Sequence, residues 1–234
     1  PWYNVSPEMI SRLVRAGPSV SQMPVAVESE ELWELQARGS INYQRAGMVQ
    51  IIVQIISSLP EYPSFSRMLD LGCGPGLMGI GLVLDHPTLH AVLYDQHAVA
   101  TVAEESVREY GVCDRVTVCR GNYLTDQIGG EYDLILASMT LNFASRDLDC
   151  IISKLYAALR PGGILVTISD GLRDEGTKPE SMVISMLKVN LSGSSFGIPE
   201  ERIAGAMLRA GFVHVRGRSI FSPVGELDCE IGKK

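Results

Sequence analysis

Residues 66–79 read Ser-Arg-Met-Leu-Asp-Leu-Gly-Cys-Gly-Pro-Gly-Leu-Met-Gly, and the fold is decided here. A short apolar run (Met68, Leu69, Leu71) encloses Asp70 and gives way to a glycine turn. A second apolar run, Leu77 to Leu84, continues at helical spacing. The order is strand, tight turn, helix. Glycine permits positive φ and lets a ligand approach backbone that any Cβ would screen. The free amides at the start of the following helix point at that ligand.

Downstream, strands and helices alternate. Expected strands are Met68–Leu71, His90–Tyr94, Arg115–Cys119, Asp133–Ala137 and Ile164–Ile168, with helices Leu77–Leu84, Ala98–Tyr110 and Leu148–Leu159 between them. Such alternation specifies a doubly wound parallel α/β sheet, whose ligands bind outside the carboxyl ends of the strands. Pro199 opens a helix through Leu208, ended by Gly211, and two strands follow, Phe212–Ile220 and Gly225–Ile231, read as an antiparallel pair at one edge. Upstream, residues 1–60 read as helical. Ser6-Pro7-Glu8 is a helix start, with serine at the cap and proline at the first helical position. Glu28–Ala37 is a second helix and the apolar Ile41–Ser58 a third, ended by Pro60 and Pro63. Ser192–Ser195 reads as a mobile loop.

The 234 residues suit one large domain, or one with a small appendage. The net charge of −7, without a basic stripe, argues against nucleic acid as the main partner. Five cysteines without CxxC spacing read as reduced thiols in an intracellular, cytoplasmic protein with no zinc site. No apolar run reaches the ~18 residues of a membrane span, and no signal peptide is visible. A start at Pro1 rather than methionine reads as processing or truncation.

Gly74-Pro-Gly76-Leu-Met-Gly79 satisfies GxGxxG, and Asp95 stands about 20 residues further on, a spacing that also fits a nicotinamide dinucleotide. Asp70 separates the two ligands. A carboxylate at the strand tip repels a pyrophosphate but welcomes an ammonium. S-adenosylmethionine carries an α-ammonium and a sulfonium and no phosphate, and its ribose diol suits Asp95. The residues therefore favour S-adenosylmethionine.

Asp70-Leu-Gly-Cys-Gly-Pro-Gly76 resembles the first motif of class I S-adenosylmethionine-dependent methyltransferases. Over residues 41–234 the chain is similar to the catalytic domain of plant and bacterial small-molecule O-methyltransferases. Tyr94-Asp95-Gln96-His97, Gly121-Asn122-Tyr123-Leu124, Asp133–Phe143, Leu159-Arg-Pro-Gly-Gly163 and Ala210-Gly211-Phe212 carry that likeness. It implies a Rossmann-like seven-stranded sheet with the last strand antiparallel. It also implies a helical extension at 1–60 and a catalytic domain at 61–234, with a possible homodimer through the N-terminal helices. Asp70, Gly72, Gly74 and Gly76 would cradle the methionine portion, and Asp95 would hold the ribose. Gln96 and His97 would cover the adenine, flanked by Asn122 and Tyr123. Ser138 replaces a common lysine.

Asn142 occupies the place of the family's general-base histidine, and a carboxamide takes no proton near neutral pH. The expected mechanism is therefore transfer driven by alignment, with Asn142 orienting the acceptor, most simply an oxygen nucleophile, and S-adenosylhomocysteine as product. Asp170 is the second catalytic candidate, near an acid that orients the histidine in the family. Tyr43, Met48, Met139, Phe143, Met186 and Phe196 are the expected walls for a small hydrophobic or aromatic acceptor, with core packing the other reading of Met186. No Asp/Glu/His cluster has metal-ligand spacing. His86, His90 and His214 read as surface or strand-flanking residues. Two other functions stay open: a methyltransferase-fold binding protein without turnover, and a nicotinamide-dependent oxidoreductase.

Overall fold

The computed structural model describes residues 6–16, 30–187, 191 and 197–234. Ser192–Ser195 and Phe196 lie outside the described residues. Seven strands form one sheet: β1 (Arg67–Leu71), β2 (His90–Asp95), β3 (Val116–Arg120), β4 (Tyr132–Ser138), β5 (Leu159–Ser169), β6 (Val213–Ser222) and β7 (Gly225–Lys233). Their order is β3-β2-β1-β4-β5-β7-β6. β7 runs antiparallel to both β5 and β6, and the remaining pairs are parallel.

The central strands are apolar on both faces, as a sheet covered on both sides requires. Met68, Leu134, Leu136, Ile164 and Val166 face one core cluster, whereas Leu69, Leu71, Ile135, Ala137 and Leu165 face the other. The first cluster takes in α3 (Val49–Ser57) and α4 (Leu77–Asp85). The second takes in α6 (Leu148–Ala158) and α8 (Arg202–Ala210), numbering after α5 (His97–Glu109) and α7 (Glu180–Ser185).

The N-terminal helices follow their sequence signals in part. α1 (Pro7–Ala16) starts where expected, with the Met9 amide donating to Ser6 Oγ at 3.2 Å. α2 (Glu30–Tyr43) outruns its expected end at Ala37 and packs on α5, where Arg38 forms a two-pronged ion pair with Glu105. The single apolar helix expected over 41–58 is broken. The chain kinks within Gln44–Met48, where Gly47 leaves helical geometry at φ +135°, and α3 begins only after it. That φ is open to glycine and strained for other residues, and the β6–β7 hairpin closes on the same spot through Pro223.

Two further readings are corrected. His86 is buried rather than at the surface: its Nε2 meets the Tyr62 carbonyl at 3.0 Å and its ring stands edge-on to Tyr62. The last helix begins at Arg202, not Pro199, after Glu201 at φ +68°. Among the described residues no helix is long and apolar enough to cross a membrane.

Candidate functional site

Strand order reverses across β1, which has β2 on one side and β4 on the other. A crevice opens at the carboxyl ends of such strands. The glycine turn lies there, with Gly72, Gly74 and Gly76 at φ +63°, +57° and +75°. Gly76 precedes α4 in the left-handed region, and a Cβ on it would sit 2.6 Å from Leu93 Cδ1. The turn is tied back to β2 by the Gly72 and Cys73 amides, which donate to the Tyr94 carbonyl at 2.8 and 3.2 Å.

Two acids support this turn. Asp95, half-buried at the tip of β2, accepts the Gly74 amide at 2.8 Å and the Gln96 amide at 2.7 Å. Asp70 is 2% exposed and accepts the Gly79 amide at 3.0 Å, so its carboxylate anchors α4 from beneath the turn. Burial lifts Asp70 to about 7, aided by the neighbouring negative charge of Asp95, and lifts Asp95 to about 6. Two carboxyls pushed up by shared burial form a site short of positive charge.

Tyr123 closes another side. Its hydroxyl donates to the Thr140 carbonyl at 2.8 Å and accepts from Thr140 Oγ1 at 2.9 Å, and burial raises its pKa to about 12. Thr140 in turn fills the space beside Gly72, where a Cβ would stand 2.1 Å from its Oγ1. Asn122 is exposed, and its Oδ1 accepts the Leu124 amide at 3.0 Å, which shapes the loop after β3. His97 is exposed at the start of α5 and Gln96 half-buried before it. Ser138 ends β4 with its Oγ buried and without a partner.

Asn142 and Asp170 do meet. Asn142 Nδ2 donates to Asp170 Oδ1 at 3.1 Å, and the Ile198 amide donates to the same oxygen at 3.1 Å. Both residues are buried, Asp170 fully, and burial raises its pKa. Of the expected acceptor walls, Met139, Tyr43 and Met186 are partly buried against the first core cluster, and Phe143 stands edge-on to Trp33 of α2 at 4.8 Å. Met48 is wholly enclosed in that core.

Sequence reasoning passed over Gln44 and Thr140, both buried at the same crevice. Gln44 Nε2 lies 3.9 Å from where a Cβ on Gly74 would stand, and its Oε1 is buried without a partner among the described residues. Among those residues the crevice thus combines bare backbone, two acids without a paired cation, and polar atoms awaiting partners. Those features fit a ligand with a diol, an adjacent cation and a zwitterionic end, as S-adenosylmethionine has. Among the described residues no group of three or more His, Cys, Asp or Glu is placed to hold a metal ion.

Residues 69–165 match the family described as "Methyltransferase domain". That stretch of the chain is similar to a methyltransferase domain. The curated relatives include the N,N-dimethyltransferase OxyT of Streptomyces rimosus, 26% identical over 65% of this chain and 44% of that protein. The fold of the chain superposes on an O-methyltransferase family protein from Burkholderia thailandensis with a TM-score of 0.73, at 22% identity over 96% of this chain and 66% of the other. Human N-acetylserotonin methyltransferase, solved in complex with SAM, gives a TM-score of 0.70 at 16% identity over 97% and 66% of the two chains. The chain spans less than half the length of the curated relatives it matches first.

Proposed function

We propose that the chain transfers a methyl group from S-adenosylmethionine to a small, hydrophobic or aromatic acceptor. The carrying observation is the pair of carboxyls around a glycine turn, buried Asp70 and half-buried Asp95, both raised toward neutrality by burial. A pyrophosphate would add negative charge at this point; a sulfonium nucleoside supplies the missing positive charge. Asp95 would hold the ribose hydroxyls, Gly72, Gly74 and Gly76 would give the methionine portion access to backbone, and Tyr123, Gln96 and His97 would border the adenine. Asp70 acts through the turn it anchors and through its field. When bound, S-adenosylmethionine supplies an electrophilic methyl group.

The catalytic contribution of this chain is alignment. Asn142 replaces a proton acceptor with a carboxamide whose orientation is fixed by the hydrogen bond to Asp170. A positioned base is worth about 10²–10⁴ in rate, whereas correct placement of the reacting groups is worth about 7–11 kcal/mol in favourable cases. Turnover therefore survives the loss of the base when the acceptor is already nucleophilic. Oxygen is the favoured receiving atom through the family likeness, and the walls are Tyr43, Met139, Phe143 and Met186. The helices described within residues 1–60 are proposed as a cap on the 61–234 unit and as its surface for pairing with a second copy, which sedimentation velocity tests. A second reading, binding without turnover, draws on the same Asn142.

Calorimetric titration separates these readings. S-adenosylmethionine and S-adenosylhomocysteine are expected to bind and NAD to give no heat, with Asp95→Ala abolishing the nucleoside signal. Uptake of NAD with no response to S-adenosylmethionine overturns the proposal. Binding without methyl transfer across a panel of phenols, amines and thiols supports the second reading.

A further inference from the structure

We infer that Gln44, buried just ahead of the kink at Gly47, is the residue that grips the amino-acid end of the cofactor; the inference rests on the cofactor reading above. In the turn Gln44–Met48 the neighbours Arg45 and Ala46 are exposed, whereas Gln44 is only 4% exposed. Its long amide is turned inward against the glycine turn. Its Nε2 stands 3.9 Å from the open side of Gly74, and Gly74 is itself bonded to Asp95 through its amide.

The hydrogen bonding of Gln44 is incomplete inside the protein. Among the described residues Nε2 reaches Ser40 Oγ at 3.4 Å, which leaves one N–H unused, and Oε1 is buried with no partner. A buried amide left in that state is destabilising unless something completes it. Apolar side chains of similar size would pack there without that penalty, so a polar group is being kept for a ligand. A primary amide offers an acceptor and a donor side by side. A zwitterionic amino acid needs that pair: its ammonium donates and its carboxylate accepts. Oε1 is assigned to the α-ammonium and the second Nε2 proton to the α-carboxylate. Ser40, whose own Oγ donates to the Ala37 carbonyl at 2.7 Å, fixes the amide's orientation.

The test compares ligands with and without the amino-acid end. Gln44→Leu should weaken S-adenosylhomocysteine and S-adenosylmethionine binding at least tenfold by calorimetry. It should change the affinity for 5′-methylthioadenosine, which lacks that end, by less than twofold. Gln44→Met, an unbranched helix-compatible replacement, serves where the leucine variant does not fold and is expected to show the same selectivity. Equal weakening of all three ligands, or no weakening of any, overturns the assignment to Gln44 while leaving the cofactor reading intact. Failure of the unaltered protein to bind any of the three overturns the cofactor reading itself, and this inference with it.

Discussion

Changing the pH of the ligand-free protein should expose the charge deficit at the glycine turn. Burial moves Asp70 from its ordinary 3.8 to about 7 and Asp95 from 3.8 to about 6. At 1.36 kcal/mol per pH unit these displacements correspond to roughly 4 and 3 kcal/mol. Each carboxyl holds its proton more tightly in the folded chain than in the unfolded one. Their stabilising contribution is therefore complete below about pH 4, the unfolded value, and disappears as pH rises through about 6 for Asp95 and about 7 for Asp70. Integrated from pH 5 to pH 8, the two groups together take away roughly 4 kcal/mol, with Asp70 responsible for more than half. Urea unfolding at the two pH values reads this directly, and Asp70→Asn, which keeps an acceptor for the Gly79 amide, should flatten most of the slope. A cationic ligand reverses the trend by drawing both groups into the charged form. Calorimetry at pH 6.5 in buffers of different ionisation enthalpy should show about one proton released as S-adenosylmethionine binds. A pH 5–8 stability profile that is flat, or one with the same slope in Asp70→Asn, would falsify the account of the site as short of positive charge.

Three other substitutions probe the site and its support. Asn142→Ala should lower kcat about 10²-fold, the scale set by loss of positioning, with affinity for S-adenosylmethionine unchanged; a rate within a factor of two of the parent rules out an orienting role. Gly72→Ala places a Cβ at φ +63° and 2.1 Å from Thr140 Oγ1. Left-handed strain alone costs about 1–2 kcal/mol, and displaced Thr140 releases Tyr123, so both Tm and nucleoside affinity should fall. Asp133 is 1% exposed, accepts the Ser66 and Arg67 amides at 2.6 and 2.8 Å and pairs with Arg160. Arg160 is 41% exposed, so the cost comes chiefly from the two amides left without an acceptor, about 1–3 kcal/mol each, and Asp133→Ala should lower the urea midpoint.

The features that sequence reveals are those for which backbone geometry dictates residue type. The turn at Gly72–Gly76 is legible because its three glycines occupy positive φ, and the strands because Met68 and Leu69, or Leu134 and Ile135, serve opposite cores. The antiparallel arrival of β7 and the junction of Asn142 with Asp170 followed from family likeness rather than from any local pattern. Gln44 shares a helical face with buried Ala37 and Met48, a spacing that reads as core, so nothing in the pattern marks its amide as facing the glycine turn. Thr140 matters through what it touches, the bare face of Gly72 and the Tyr123 hydroxyl, and neither contact leaves a trace in spacing. The direction of Asp70, onto the Gly79 amide, depends on how α4 leaves the turn, which the sequence does not reveal.

The position of β7 has a consequence for how the molecule assembles. It is last of the seven strands in sequence, yet it sits between β5 and β6. Until it arrives, one margin of β5 offers a row of unmatched amides and carbonyls, a template for adhesion to other chains. Docking of the β6–β7 hairpin as a unit seals that margin in one event and brings Pro223 against Gly47, far away in sequence. Such distant closure slows folding, and a nascent chain paused before Gly225 would be the species most prone to clump.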